Sequence, residues 1–206
     1  MHEFKRYWGF ILGFALFVTF AFWTILNFTQ GQEIIWFNHL WTLRQVSYWA
    51  WITKLGEWHS YVAVILFFII VKQPKKSLLI LVSGVFTLFI NAGLKNLFYE
   101  PRPAQYFSKM NLLSSINIPE GMHLNHGFSS FPSGHTTAAY VLFVLLALSY
   151  PNRCWFQIII MILAGVVGVS RMILAQHYIE DTLAGALLGL YIGLLCHKIW
   201  EVVFGK

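Results

Sequence analysis

Charge is what this sequence has least of. Only 11% of its 206 residues are Asp, Glu, Lys or Arg, while 58% are hydrophobic, with 19 Phe, 9 Tyr and 9 Trp. An ordinary soluble domain carries about 25% charged residues. The shortage excludes a water-soluble globule and indicates an all-α integral membrane protein, with residues 1–206 expected to form a single domain. Cysteine is scarce too. Cys154 and Cys196 lie beside apolar runs at a spacing that matches no metal or redox motif, so they are expected to be small buried or boundary side chains. Carboxylates are few, and Glu100, Glu120, Glu180 and Asp181 make no recognisable two-metal set. No metal or other cofactor is expected. The first apolar run ends in "FWTILNFTQGQE", without a small-residue cleavage site, and is expected to be a retained helix. The formal net charge is +6, but its basic residues are scattered and several flank apolar segments. That favours membrane anchoring and an anionic ligand over nucleic acid. No obligate protein partner is expected.

Hydropathy predicts six transmembrane helices, near residues 8–28, 57–71, 77–97, 136–150, 155–169 and 182–203. An additional interfacial helical segment is expected after the first span, in the Trp-rich stretch 36–58. A long polar loop is expected over 104–130. Lys5, Arg6, Lys72, Lys75, Lys76, Arg153, Lys198 and Lys206 fall at one set of span ends, in short loops or tails. By the positive-inside rule that side is cytoplasmic, with both termini. Lys95, Arg102, His135, Arg171 and His177 fall on the other side, facing periplasm or exterior. Connectivity therefore brings three separate segments to one membrane face.

Clustered cations repel, and desolvating them costs several kcal/mol each. A phosphate-like oxyanion resolves this for Lys95, Arg102 and Arg171. "FPSGHTT" adds a helix start: Pro132 and Gly134 suit the turn, and Ser133 is placed to cap or to offer a hydroxyl. The free amides there can bind an anion, with His135 in the first turn. In "SRMILAQHYIED" Asp181 follows His177 by four residues, on one face if the helix has begun. A carboxylate there fixes the histidine tautomer and leaves the other ring nitrogen free to attack. Glu180, three residues from His177, is the rival partner. Two histidines then divide the work, one attacking phosphorus and one protonating the leaving oxygen.

The chain resembles the type 2 phosphatidic acid phosphatase superfamily, which also includes vanadium haloperoxidases. The resemblance rests on "KNLFYEPRP" (95–103), "PSGH" (132–135) and "SRMILAQHYIED" (170–181), with every fixed position and internal spacing present. It implies a membrane phosphatase domain with His177 as nucleophile, Asp181 as its orienting carboxylate and His135 as general acid. Lys95, Arg102, Ser133, Gly134 and Arg171 become phosphate ligands. The implied reaction is metal-independent hydrolysis of a membrane lipid phosphate or diphosphate through a phosphohistidine, at the outer face of the cytoplasmic membrane. The plain six-span design resembles bacterial members acting on undecaprenyl diphosphate or phosphatidylglycerophosphate. Lipid A phosphatase and lipid phosphotransferase activities are the alternatives. A vanadate-dependent peroxidase and a non-catalytic membrane protein stand further off. The 36–58 segment is expected to cover the entrance to the site, and the 104–130 loop to shape the headgroup pocket.

Overall fold

The computed structural model describes residues 6–205, which contain helices, turns and loops and no strand. Lys5 and Lys206, assigned above to the cytoplasmic side, lie outside the described residues. The helices are α1 (Trp8–Asn27), α2 (Gln32–His39), α3 (Leu43–Ile52), α4 (Trp58–Ile70), α5 (Pro74–Phe98), α6 (Pro103–Lys109), α7 (Gly134–Ser149), α8 (Cys154–Ile173) and α9 (Ile179–Phe204). Local chemistry explains most of the boundaries. Thr42 caps α3 in a reciprocal pair with Gln45. Pro74 opens α5 where its missing N–H costs nothing. The same helix stops at Tyr99, in a left-handed conformation (φ 49°), just before Pro101 and Pro103. Glu180 and Asp181 place negative charge in the first turn of α9, at the positive end of its dipole.

Four segments are long and apolar enough to cross a bilayer: α1, α5 with α6 behind it, α8 and α9. The second expected span differs. Alone, the 13 residues of α4 reach only about 20 Å, against about 30 Å of hydrocarbon. Together with α3 and the 3₁₀ turn Thr53–Gly56 it makes one apolar unit, bent by 52°. Gly56 and Glu57 interrupt the ladder there, at the start of the expected span, whose bounds α4 matches within a residue. The expected interfacial segment is two short helices, α2 and α3. The fourth expected span, α7, is apolar but only 16 residues long. The 104–130 loop also carries structure, most of α6 and the 3₁₀ turn Leu113–Ser115.

Helix α7 is the centre of the bundle. Residues 139–147 are buried on every side, and α7 packs against α5, α8 and α9. Its closest partner is α9, through a ladder of glycines. A Cβ on Gly185, Gly189 or Gly193 would stand 2.7, 2.6 and 2.7 Å from Ser133 O, Thr137 O and Val144 Cγ1. In lipid the hydrophobic effect does little between helices, so such close backbone approach carries the packing. The periphery is apolar: Leu88, Phe89 and Val202 are each at least 70% exposed. That is a liability in water and an advantage in a bilayer.

Polar contacts fasten the two ends. At one, Gln157 donates to Arg6 O (3.0 Å) and Tyr150 O (3.2 Å), and Lys76 Nζ donates to Ser149 O (3.4 Å). At the other, buried Asn38 of α2 donates to Ile173 O (2.8 Å) and accepts from Asn117 N (2.7 Å), tying α2, the long loop and the end of α8 together. Cys196 is half-buried, as expected. Cys154 is exposed, at the first residue of α8.

Candidate active site

Each sequence motif arrives at the second of these ends on a different element. Lys95 comes from the last turn of α5 and Arg102 from the residue preceding α6. Ser133, Gly134 and His135 open α7, Arg171 lies in the last turn of α8, and Asp181 in the first turn of α9. All the expected site residues meet there. His177 is the one whose local setting differs from expectation: it sits in the tight connection between α8 and α9, before the helix begins. It reaches Asp181 all the same, through Nδ1 to Oδ2 at 3.4 Å, with both side chains buried. Asp181 Oδ2 also accepts from Ser130 Oγ (2.5 Å) and from the Tyr178 amide (3.0 Å). Those donors hold the carboxylate in place without consuming Nε2 of His177. Glu180 does not compete. Its Oε2 is buried without a hydrogen bond, beside Glu33, whose carboxyl is pushed up to about 7, mainly by burial.

The cations are held by neutral oxygens. Lys95 Nζ donates to Ser129 O (3.1 Å). Arg102 donates from Nε to Ser129 Oγ (3.3 Å), from Nη2 to Ser129 O (3.3 Å), and from Nη1 to the Gln176 backbone and side-chain oxygens (both 3.4 Å). Arg171 Nη1 donates to Thr53 Oγ1 (3.0 Å), and its buried Nε meets no acceptor. Among the described residues, none of the three makes a direct salt bridge. Burial first, and then the positive charges of Arg171, Arg102 and Lys95, push the pKa of His177 well down, which favours the neutral ring. The site is thus an electropositive cluster around a neutral, oriented imidazole, which is the electrostatic complement of an oxyanion.

Gly134 completes the cradle. A Cβ there would meet Lys95 Cε at 3.8 Å, so the lysine stem lies over the free amides at the start of α7. Ser133 occupies the cap position; its hydroxyl pairs with Thr136 Oγ1 (2.9 Å) and caps no backbone amide.

Several functional neighbours were not foreseen. Ser129 and Ser130 anchor the cations and Asp181, yet both lie in a polar loop where serine is unremarkable. Gln176, adjacent to His177, bridges Arg102 and Arg171. Glu57 accepts from His135 Nε2 (3.3 Å) across 78 positions of sequence. The only advance signal was a carboxylate at the start of an apolar span, where charge is expensive.

Beside an opening of about 480 Å³ against Ser130, Tyr178 and Asp181, two openings reach the cations and His135. A polar one of about 450 Å³ is walled by Trp51, Thr53, Glu57, His123, Arg171 and Gln176, among others. An apolar groove of about 610 Å³ runs between α4 and α5, past Tyr61, Val85 and Leu88, to Lys95, Gly134 and His135. Glu57 lines both.

The fold and this cluster define a helical membrane protein with two histidines and three cations gathered at the mouth of an apolar groove. The PAP2 superfamily pattern matches residues 76–204, more than half of the chain, and the chain belongs to that superfamily. The lipid A 1-phosphatase of Porphyromonas gingivalis is 33% identical over 87 residues, 42% of this chain and 19% of that protein. An undecaprenyl-diphosphatase of Sulfolobus acidocaldarius is 26% identical over 168 residues, 81% of this chain and 75% of its own length. The chain spans less than half the length of the first curated relatives it matches, between 19% and 46%. Among solved structures, a transmembrane PAP2-type phosphatidylglycerolphosphate phosphatase from Bacillus subtilis has the same fold. The TM-score is 0.65 at 22% identity, over 95% of this chain and 98% of that one.

Proposed function

We propose that this protein is a metal-independent phosphatase of lipid phosphates or diphosphates, working through a phosphohistidine. The observation that carries the reading is the buried His177–Asp181 pair facing three cations that have no direct anionic partner. Asp181 keeps the proton on Nδ1, so Nε2 of the neutral ring attacks phosphorus. Lys95, Arg102, Arg171 and the amide of Gly134 hold the nonbridging oxygens as charge shifts in the transition state. Ser133, buried at the start of α7, supports that turn. His135 protonates the leaving oxygen. It then takes a proton from the water that hydrolyses the phosphohistidine.

The lipid character rests on the groove between α4 and α5, which joins the apolar periphery to His135. Its apolar lining suits hydrocarbon, and the polar opening suits a headgroup. Undecaprenyl diphosphate and phosphatidylglycerophosphate are the favoured substrates. Lipid A phosphate, the substrate named for a relative, is the alternative. The chain forms one domain that crosses the cytoplasmic membrane six times, counting the bent α3–α4 unit and α7 as one crossing each. Lys72, Lys75, Lys76 and Arg153 mark the cytoplasmic side, and the site opens outward.

The test is phosphate release by purified protein from a panel of lipid phosphates and diphosphates, with excess chelator present. Activity is expected to persist in chelator. His177→Ala is expected to lower it roughly a thousand-fold or more. Undiminished release by His177→Ala would overturn the mechanism, and recovery only on adding a divalent metal would overturn metal independence. Transfer of the phosphoryl group to an added lipid alcohol in preference to water would favour a phosphotransferase.

A further inference from the structure

The family motifs assign a carboxylate to one histidine and leave the other without one. The structure supplies a second. Glu57 stands at the bend between the Thr53–Gly56 turn and α4, with Oε1 3.3 Å from His135 Nε2 and Oε2 3.4 Å from His59 Nδ1. Its carboxylate forms part of the wall of both openings, and its charge also acts on Arg171. The bend that brings it there is the break that divides the second apolar unit. A surface role would need only His59, whose side chain is 55% exposed. The contact with half-buried His135 is what requires explanation.

We propose that Glu57 is the positioning carboxylate of His135, and that between the two substrates favoured above it tunes the site toward the phosphate monoester of an aliphatic alcohol, phosphatidylglycerophosphate, and away from the diphosphate. The proposal rests on the phosphatase reading above. Held by Glu57 through Nε2, His135 presents Nδ1 to the leaving oxygen. With the phosphoryl oxygens of a bound substrate offsetting the charges of Lys95, Arg102 and Arg171, the paired carboxylate favours the imidazolium that gives the proton. In a monoester the P–O bond to an alkoxide breaks as the bond from His177 Nε2 to phosphorus forms. The alkoxide is a strong base and needs that proton, which passes from His135 Nδ1 to yield the free alcohol. In a diphosphate the terminal P–O bond breaks in the same way, but the leaving group is a phosphate monoester. That is a weak base and departs without a proton. Its negative charge would also lie beside Glu57, where like charges repel. One carboxylate therefore helps the first class and hinders the second.

The experiment compares wild type and Glu57→Gln on three substrates: a dioleoyl glycerolipid phosphate monoester, farnesyl diphosphate and p-nitrophenyl phosphate. Glutamine keeps the shape and removes the charge. For the glycerolipid monoester kcat is expected to fall about 10- to 100-fold, as for loss of assisted proton transfer. For p-nitrophenyl phosphate, whose leaving group needs little help, kcat should stay within about two-fold. For farnesyl diphosphate KM should be unchanged or lower. Placed in a His135→Ala background, Glu57→Gln should add nothing to the monoester loss. An equal loss on all three substrates, or none on the glycerolipid monoester, would overturn the proposal. If the glutamine variant lacks the native melting transition, the same ratios are read with Glu57→Asp, where the loss should again be confined to the alkyl monoester. Wild-type protein inert toward all three would overturn the phosphatase reading itself, a distinct outcome.

Discussion

At the residue scale the site is built from pairs in which one group fixes the state of another. Asp181 is the clearest case. It is buried, it touches His177 at 3.4 Å, and its own position is set by Ser130 and the Tyr178 amide. Asn at position 181 would preserve volume while allowing an amide N–H to face the ring, which favours the wrong tautomer. Asp181→Asn is expected to lower kcat roughly 10²- to 10⁴-fold with a smaller change in KM, read in steady-state assays on a soluble phosphate. Little change in kcat would mean that the tautomer is set elsewhere. Much of this was legible in the sequence, because Arg171, His177 and Asp181 fall within one short stretch whose spacing constrains them. Ser130 was not legible, since nothing in a run of loop residues distinguishes the serine that folds back across 51 positions.

At the element scale the telling unit is the α4–α5 pair. The groove between these helices reaches Lys95, and Ala92 of α5 lines it. Filling it should separate recognition of the tail from chemistry at phosphorus. Ala92→Trp is expected to raise KM for long-chain lipid phosphates about ten-fold while leaving p-nitrophenyl phosphate hydrolysis within about two-fold, as loss of apolar burial alone would do. A matching effect on the soluble substrate would place the groove outside the substrate path. Element boundaries were read from hydropathy to within a few residues for α1, α5 and α9. The second span, read at 57–71, also matches α4 within a residue; what hydropathy did not show is that α3 adjoins it across a 52° bend. The Trp-rich segment proved partly peripheral: Trp51 and Trp58 line the two openings, whereas Trp36 rests against Phe28 and Phe37.

At the scale of the whole molecule, the site exists because α7 and α9 lie close enough for Ser133 N to reach Asp181 O (3.0 Å). The glycine ladder sets that distance. Gly189 lies about two turns below the Asp181 contact, and a Cβ there would stand 2.6 Å from both Thr137 O and Tyr140 Cβ. Neither backbone nor a packed ring can yield cheaply. Gly189→Ala is expected to cost about 1–3 kcal/mol, seen as a lower melting temperature in detergent, and to lower activity on every substrate alike. An unchanged melting temperature would show that the helices can separate without penalty.

The sequence by itself determined the chemistry and the membrane habit. Residue type fixes charge, nucleophilicity and hydropathy, and motif spacing fixes which groups share a helix end. From Lys95, Arg102, His135, Arg171, His177 and Asp181 alone, an outward oxyanion site was already implied. Tertiary structure decided what depends on contacts between distant segments: the bend that carries Glu57 to His135, the serines that hold the cations and Asp181, and the groove that leads to them. Such contacts leave little trace in local pattern, because a hydrogen bond across 78 positions needs no particular residues in between.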